Sequence, residues 1–387
     1  MATTAPFWRP PGPAGPAPEP WTARALALAE ALQRSFAVPG VAGAYREAVP
    51  AAERPYAFLW PWSQVLAAGL ELIELGAGLG SPLDVGELLD PGLAAYRDDR
   101  LRPPGYASYV LRPLGGGGDA FYDDNAWIGL ALVTAHRLLG DDGLRLRAEE
   151  VLAFVLSGWD HDDRHPAPGG VFWTRAPWSD DRNTVSNAPT AQLALGLHEL
   201  TDHPALLAWA QTLLAWTRTH LRDPDDGLYW DHIDLRGTIE RTKWSYNQGS
   251  VLGGELLLAR ALADADAGQA AVHWEEAERL GRAILDRYRS PATPWAAQGL
   301  PFNAVCARNL VALAHETADE ALARSCRDAV LAIADDAWQR CRADDDLVRK
   351  PEQPRTTELI DQAALVRLQA LAGLATVEPP VRPSPQP

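Results

Sequence analysis

Along most of the chain, apolar positions recur every three to four residues, the spacing of helices that bury one face. The pattern predicts twelve helices, at roughly 21–36, 60–77, 84–97, 122–140, 143–157, 186–201, 204–221, 245–264, 271–289, 302–316, 319–342 and 357–374. No run of strands accompanies them. Two β-favouring pieces, "GGVFWT" (169–174) and "GLYWDHIDL" (227–235), read as short hairpin or loop strands. The Pro-rich ends, 1–18 and 376–387, are expected to be mobile tails around one folded unit, 19–375.

The twelve segments alternate in character. Even-numbered ones follow long aromatic or polar loops and are rich in small residues, as in "WSYNQGSVLGGELLLA"; odd-numbered ones are amphipathic, as in "HWEEAERLGRAILDRY". Short hinges such as "LGDDG" and "TDHP" follow even segments. Small residues let inner helices crowd a common axis, while amphipathic helices form an outer wall. The expected architecture is therefore all-α: six helical hairpins closed into an (α/α)6 barrel. An open α-solenoid would show a tighter repeat and polar terminal caps, and neither is evident.

In a closed ring the inner helices begin at one mouth, beneath the long loops. The residues placed there are Trp60 and Trp62; Tyr122, Asp123, Asp124 and Asn125; Asn183, Ser186 and Asn187; Trp244, Tyr246, Asn247 and Gln248; Phe302 and Asn303; Thr357 and Glu358. Amides and aromatics in this mixture hydrogen-bond hydroxyls and stack on the apolar faces of ring ligands. Fifteen tryptophans strengthen that reading, because indole is a poor generic filler whose N–H demands a partner. Several, including Trp173, Trp178, Trp230 and Trp295, fall where helical pattern breaks into loops. There each is either rim packing or a flat platform in a cleft.

Asp123 and Asp124, in "FYDDNAWIGLAL" (121–132), head an apolar inner helix. Acids suit a helix's first turn, where open N–H groups and the macrodipole favour negative charge. This pair also points toward a cavity, and Trp127 follows Asp123 on the same helix face. Neighbouring carboxylates oppose each other's ionisation and split their pKa values. One acid ionised beside one protonated is what glycosidic cleavage requires.

Composition narrows the partners. A formal net charge of −16 argues against nucleic acid, and no run approaches the 18 apolar residues of a membrane span. Three cysteines without CxxC spacing imply neither a disulfide framework nor structural zinc. No Walker, dinucleotide or HExxH pattern occurs, and "LGGGGDAF" (114–121) reads as a flexible loop delivering the acidic helix. "DPDDG" (223–227) lacks the spacing of a calcium loop and reads as a turn, and "WDHDDRHP" (159–166) suits a solvated loop. No metal or cofactor is expected. With no basic n-region or apolar h-region at the N-terminus, a cytoplasmic location is expected.

The pieces "YDDNAW", "GGVFWT", "VSNAPTAQLALGLHEL", "GLYWDHI", "WSYNQGSVLGGELLLA" and "FNAVCARNLVALA" resemble, in order and over about 55–320, glycoside hydrolase family 76, the endo-acting α-1,6-mannanases and their fungal cell-wall relatives. The resemblance implies an (α/α)6 barrel and retaining hydrolysis of α-1,6-mannosidic bonds without a metal. By position it makes Asp123 the nucleophile and Asp124 the general acid/base. It puts Asp231 against the sugar of the −1 subsite, with Asn125, Trp127, Tyr246, Asn247 and Gln248 shaping that subsite; Trp60 and Asn187 join them from the mouth. The expected partner is an oligosaccharide or glycoconjugate. A sugar epimerase/isomerase on the same barrel, or a non-catalytic glycan-binding protein, are the rival readings.

Overall fold

The computed structural model of the chain describes residues 20–51, 53–78, 80–350 and 352–377. Its helices are α1 (Trp21–Phe36), α2 (Leu59–Glu74), α3 (Val85–Glu87), α4 (Tyr122–Leu139), α5 (Asp142–Leu156), α6 (Thr184–Thr201), α7 (Pro204–Leu221), α8 (Ser245–Leu262), α9 (Ala267–Arg289), α10 (Leu300–Glu316), α11 (Glu320–Cys341) and α12 (Leu359–Thr376). Short strands sit between them: β1 (Ala48–Val49), β2 (Arg97–Asp98), β3 (Gly105–Tyr106), β4 (Asp181–Asn183), β5 (His232–Asp234), β6 (Ile239–Glu240) and β7 (Thr357–Glu358). The expected tail 1–18 lies outside the described residues, as does 378–387; Thr376, assigned to the second tail, instead closes α12.

Eleven helices match their sequence patterns to within four residues at each end. The third does not. Where the pattern of 84–97 predicts one helix, a single turn of α3 gives way to a wide turn at Leu88–Gly92 and a tight one at Leu93–Tyr96. Pro91 is the cause: it lacks an N–H and drives the residue before it out of the helical region, and Asp90 sits at φ −160°, ψ 116°.

The inner helices touch in chain order from α2 through α4, α6, α8 and α10 to α12, and α12 returns to α2, so the ring is closed. Each outer helix packs on the inner helix that precedes it: α5 on α4, α7 on α6, α9 on α8, α11 on α10. Helix α1 serves as the outer partner of α12, which joins the two ends of the chain. One apolar cluster runs through all of them. Small residues set the close spacing of the inner helices. A Cβ on Gly249 of α8 would lie 2.5 Å from the Cα of Cys306 in α10.

The long loops are tied down by a repeated device. The fourth residue of every inner helix reaches back to the loop that delivers that helix. Trp62 donates its indole N–H to Gly43 O at 2.8 Å. Asn125 accepts from Tyr106 N at 2.8 Å and donates to Tyr106 O at 2.9 Å. Asn187 accepts from Val171 N at 3.0 Å, and Gln248 accepts from Tyr229 N and donates to Tyr229 O at 2.7 and 2.8 Å. Asn303 donates to Trp295 O at 2.9 Å, and Gln362 accepts from Val348 N at 2.8 Å. An amide side chain can satisfy a backbone N–H and C=O together, as a strand partner would.

Among the described residues no helix is long and apolar enough to cross a membrane. Replacing Gln248 by Leu keeps the volume but leaves the buried N–H and C=O of Tyr229 unpaired. This should lower unfolding free energy by about 2–4 kcal/mol, read as a shifted urea midpoint at unchanged slope; an unmoved midpoint would refute the clamp.

Candidate active site

Asp123 and Asp124 occupy the first turn of α4, whose preceding residue, Phe121, supplies no side-chain cap. The helix entry is held instead from the side, by Tyr122 N donating to Trp173 O at 2.8 Å and by Arg175 N donating to Ala120 O at 3.0 Å. The segment predicted as a loop strand therefore lies antiparallel to the start of α4. Its Trp173 also donates the indole N–H to Asp123 Oδ2 at 3.1 Å, while Asp124 N donates to Asp123 Oδ1 at 2.9 Å. Among the described residues nothing hydrogen-bonds to the Asp124 carboxyl.

The two acids are partly buried and differ in support. Burial pushes the Asp123 carboxyl up to about 7, against the two donors that favour its charge. Burial, and then the charge of Asp123, holds Asp124 well above the usual carboxylate range. The supported acid is thus the first to ionise, and the unsupported one keeps its proton.

Around the pair the structure gathers a second acidic set. Strand β4 pairs with β5, with Asn183 opposite His232 and Asp181 opposite Asp234. Asp231 enters that hairpin. Its Oδ1 accepts from Asn247 Nδ2 at 2.9 Å, and its Oδ2 lies 2.9 Å from His232 Nδ1. This hydrogen bond raises the pKa of His232, with Asp181 and Glu240 adding to it. Burial raises Asp181, which in turn adds negative potential at Asp123. Tyr246 bridges the two sets: burial is the main cause of its raised pKa, followed by the charges of Asp231 and Asp123. The Tyr246 ring stacks on Phe302 at 4.2 Å, and Phe302 meets Trp244 at 5.4 Å and Trp60 at 5.9 Å. Buried at the same mouth, Trp60 Nε1, Asn183 Oδ1, Ser186 Oγ and Asn247 Oδ1 have no protein partner among the described residues.

The structure thus brings together Asp123, Asp124, Asp231, Tyr246, Asn247 and Trp60 from the sequence-predicted set. Trp127 lines a cavity of about 150 Å³ on the barrel axis, beneath the mouth, with Gln64, Arg137 and the buried Glu71–Arg367 pair. Asn125, Asn187 and Gln248 do not face the cleft. All three are fully enclosed, and their amides are committed to the loop backbone, so they hold the site's frame rather than its ligand.

Asp181, His232 and the indole of Trp173 were missed as site groups. Their placement depends on the β4–β5 pairing and on a loop crossing over α4, contacts between distant segments that periodicity does not encode.

Other sequence readings resolve as follows. The "LGGGGDAF" loop is not slack: Gly115 N and Gly117 N donate to Leu111 O and Val110 O, and Ser108 N donates to Asp119 O. In "DPDDG" an ammonium fills the turn, Lys243 Nζ lying 2.6 Å from Asp223 and 2.7 Å from Asp226. In "WDHDDRHP", Asp162 and Arg164 pair at the surface, but Asp160 is buried against Arg182 at 2.6 Å. His136 and His198 bond Asp141 O and His203 O, closing the hinges at the far end of the barrel. No group of three or more metal-ligating side chains occurs among the described residues.

Raised carboxyl pKa values set the direction of pH-dependent stability. Between about pH 4 and 7 the native state holds protons that the unfolded chain has released, so stability falls as pH climbs through that window. An Asp123→Asn, Asp124→Asn double variant lacks this penalty. It should match the parent near pH 4 and exceed it at pH 8 by a few kcal/mol, since each tenfold change in proton affinity is worth about 1.4 kcal/mol. Chemical denaturation at the two pH values checks it; equal stabilities at pH 8 would count against the buried pair.

Residues 108–357 match the model of Glycosyl hydrolase family 76. Among curated proteins, the chain is 26% identical over 159 residues to the meiotically up-regulated gene 191 protein of Schizosaccharomyces pombe, covering 37% of this chain and 34% of that one. It is 30% identical over 104 residues to a mannan endo-1,6-alpha-mannosidase of Candida glabrata, covering 25% and 23%. The chain thus spans about a third or less of the length of these two curated relatives. Solved structures match along nearly the whole fold. One is the family 76 mannosidase Bt3792 of Bacteroides thetaiotaomicron (TM-score 0.74, 21% identity, 92% of this chain and 98% of that one). Another is an inactive variant of the α-1,6-mannanase of Salegentibacter sp., with two consecutive aspartates replaced by alanine, in complex with α-1,6-mannotetrose (TM-score 0.75, 20% identity, 92% and 99%). With its family model spanning the site loops and inner helices α4 to α10, this (α/α)6 barrel belongs to glycosyl hydrolase family 76.

Proposed function

We propose that the protein is a retaining glycoside hydrolase that cleaves α-mannosidic bonds, α-1,6 in linkage, in oligosaccharides or glycoconjugates. One observation carries the reading: two adjacent acids at a cleft mouth, one supported as a carboxylate by two donors and one with none. The supported Asp123 is the nucleophile, and Asp124 is the acid that protonates the leaving oxygen. Asp123 attacks C1 as Asp124 gives up its proton, and a glycosyl ester forms. Water then attacks C1, Asp124 takes its proton, and Asp123 is released. Asp231, fixed by Asn247 and His232, is poised to accept sugar hydroxyls; Tyr246, Phe302 and Trp60 supply apolar faces. The partnerless atoms of Trp60, Asn183, Ser186 and Asn247 suit the same hydroxyls. Family membership supports the reaction class, as do the named activity of the Candida relative and the Salegentibacter structure.

On α-1,6-manno-oligosaccharides, proton NMR of the first product should show the α anomer, mutarotating afterwards. Asp123→Ala and Asp124→Ala should each reduce turnover about a thousand-fold. An initial β anomer, or both variants active, would sink the proposal. The acid limb of kcat/KM should rise through about pH 7, where Asp123 becomes a carboxylate.

A further inference from the structure

Trp178 stands apart from the other tryptophans. Among the described residues it is the exposed one, with 54% of its surface open. An exposed indole normally gains by folding down onto apolar neighbours or by moving freely. This one does neither. Its N–H donates to Asp119 Oδ2 at 3.1 Å, and its ring meets Trp173 edge-on, with centroids 6.0 Å apart at 79°, and Phe121 at 6.1 Å. Asp119 in turn ends the glycine-rich loop, where Gly117 has φ +74° and the backbone bonds of the loop hold its shape. A side chain on Gly115 or Gly118 would strike Val110 O or Ser108 Oγ, so the compact course of the loop depends on these glycines. Three parts of the chain thus converge to hold one aromatic face in solvent. The Trp173 it leans on is the same residue that donates to Asp123.

We propose that Trp178 is a stacking platform for a sugar residue beyond the one undergoing cleavage, forming an outlying subsite on the Trp173 side of the cleft. The proposal rests on the α-mannosidic reading. Pyranose rings present a face of C–H groups to an aromatic plane, and a ring already held in place loses little freedom when they bind. Asp119 is the positioning residue, and it acts through the indole N–H. A platform of this kind adds binding only for substrates long enough to reach it, so its signature is dependence on chain length.

The experiment compares kcat/KM on α-1,6-linked oligomers from mannobiose to mannohexaose for the parent, Trp178→Ala and Trp178→Phe. The ratio of longest to shortest cleaved substrate should fall about ten-fold in Trp178→Ala and by less in Trp178→Phe, which keeps an aromatic face but loses the N–H that Asp119 holds. A ratio unchanged in Trp178→Ala, whether or not overall activity drops, overturns the subsite alone. So does a Phe variant as impaired as the Ala variant. Failure of the parent to cleave any oligomer overturns the underlying α-mannosidic reading, and the subsite with it.

Discussion

Six times around the barrel, a side chain at the fourth position of an inner helix grips the backbone of the loop that leads into it. Everything at the mouth depends on this contact. Long loops lose conformational freedom when ordered, and strands of two or three residues satisfy only part of their backbone. The amides of Asn125, Asn187 and Gln248 act as a substitute strand edge, each satisfying one residue's N–H and C=O. The gripped residues lie close to residues of the candidate site. Val171 is two residues before Trp173, and Tyr229 is two before Asp231. Fixing Val171 and Tyr229 therefore aims the indole at Asp123 and seats Asp231 against Asn247.

That rigidity is needed because the mouth concentrates like charge. Asp123, Asp124, Asp181 and Asp231 converge around His232, whose pKa is raised by its hydrogen bond to Asp231. Burial raises three of these acids, so their charged forms are disfavoured. Two local features offset this at Asp123: the donors from Trp173 and Asp124, and the open first turn of α4. Asp124 shares the helix end but receives neither donor. The asymmetry between adjacent, chemically identical residues arises from which carboxyl the indole can reach.

The ring was legible in the sequence because hydrophobic periodicity and the inner–outer alternation are local properties. So was the acid pair, since "YDDNAW" departs from the apolar helix it heads. The backbone bonds of Asn125, Asn187 and Gln248 are not legible in the sequence. Each lies in a motif that looks like ligand chemistry, and amide groups suit a backbone clamp as well as a sugar hydroxyl. Only the position shared by all six helices separates the two roles, and that regularity is hidden because Trp62 and Asn303 fill it with different side chains and different partners. The break at Pro91 was visible in the chain, yet the apolar residues around it carry a helical period. There backbone chemistry overrode pattern.

The two ends of the barrel divide the work through their helix termini. Outer helices α5, α9 and α11 start at the far end and cap themselves with Asp141, Asp266 and Asp319. In none of the six inner helices does the residue before the first turn supply a side-chain cap, although Ser245 N of α8 donates to Gln298 Oε1 and Asp124 N of α4 to Asp123 Oδ1. Their positive ends therefore face the mouth, where they favour the carboxylates gathered there. At the opposite end, the last turns of α4 and α8 carry Arg137 and Arg260, which match the negative ends of those dipoles and pair with Glu199. Capping thus stabilises the closed end, and its absence leaves an acid-tolerant field at the open end. In a chain of net charge −16, this arrangement helps four aspartates to share one cleft.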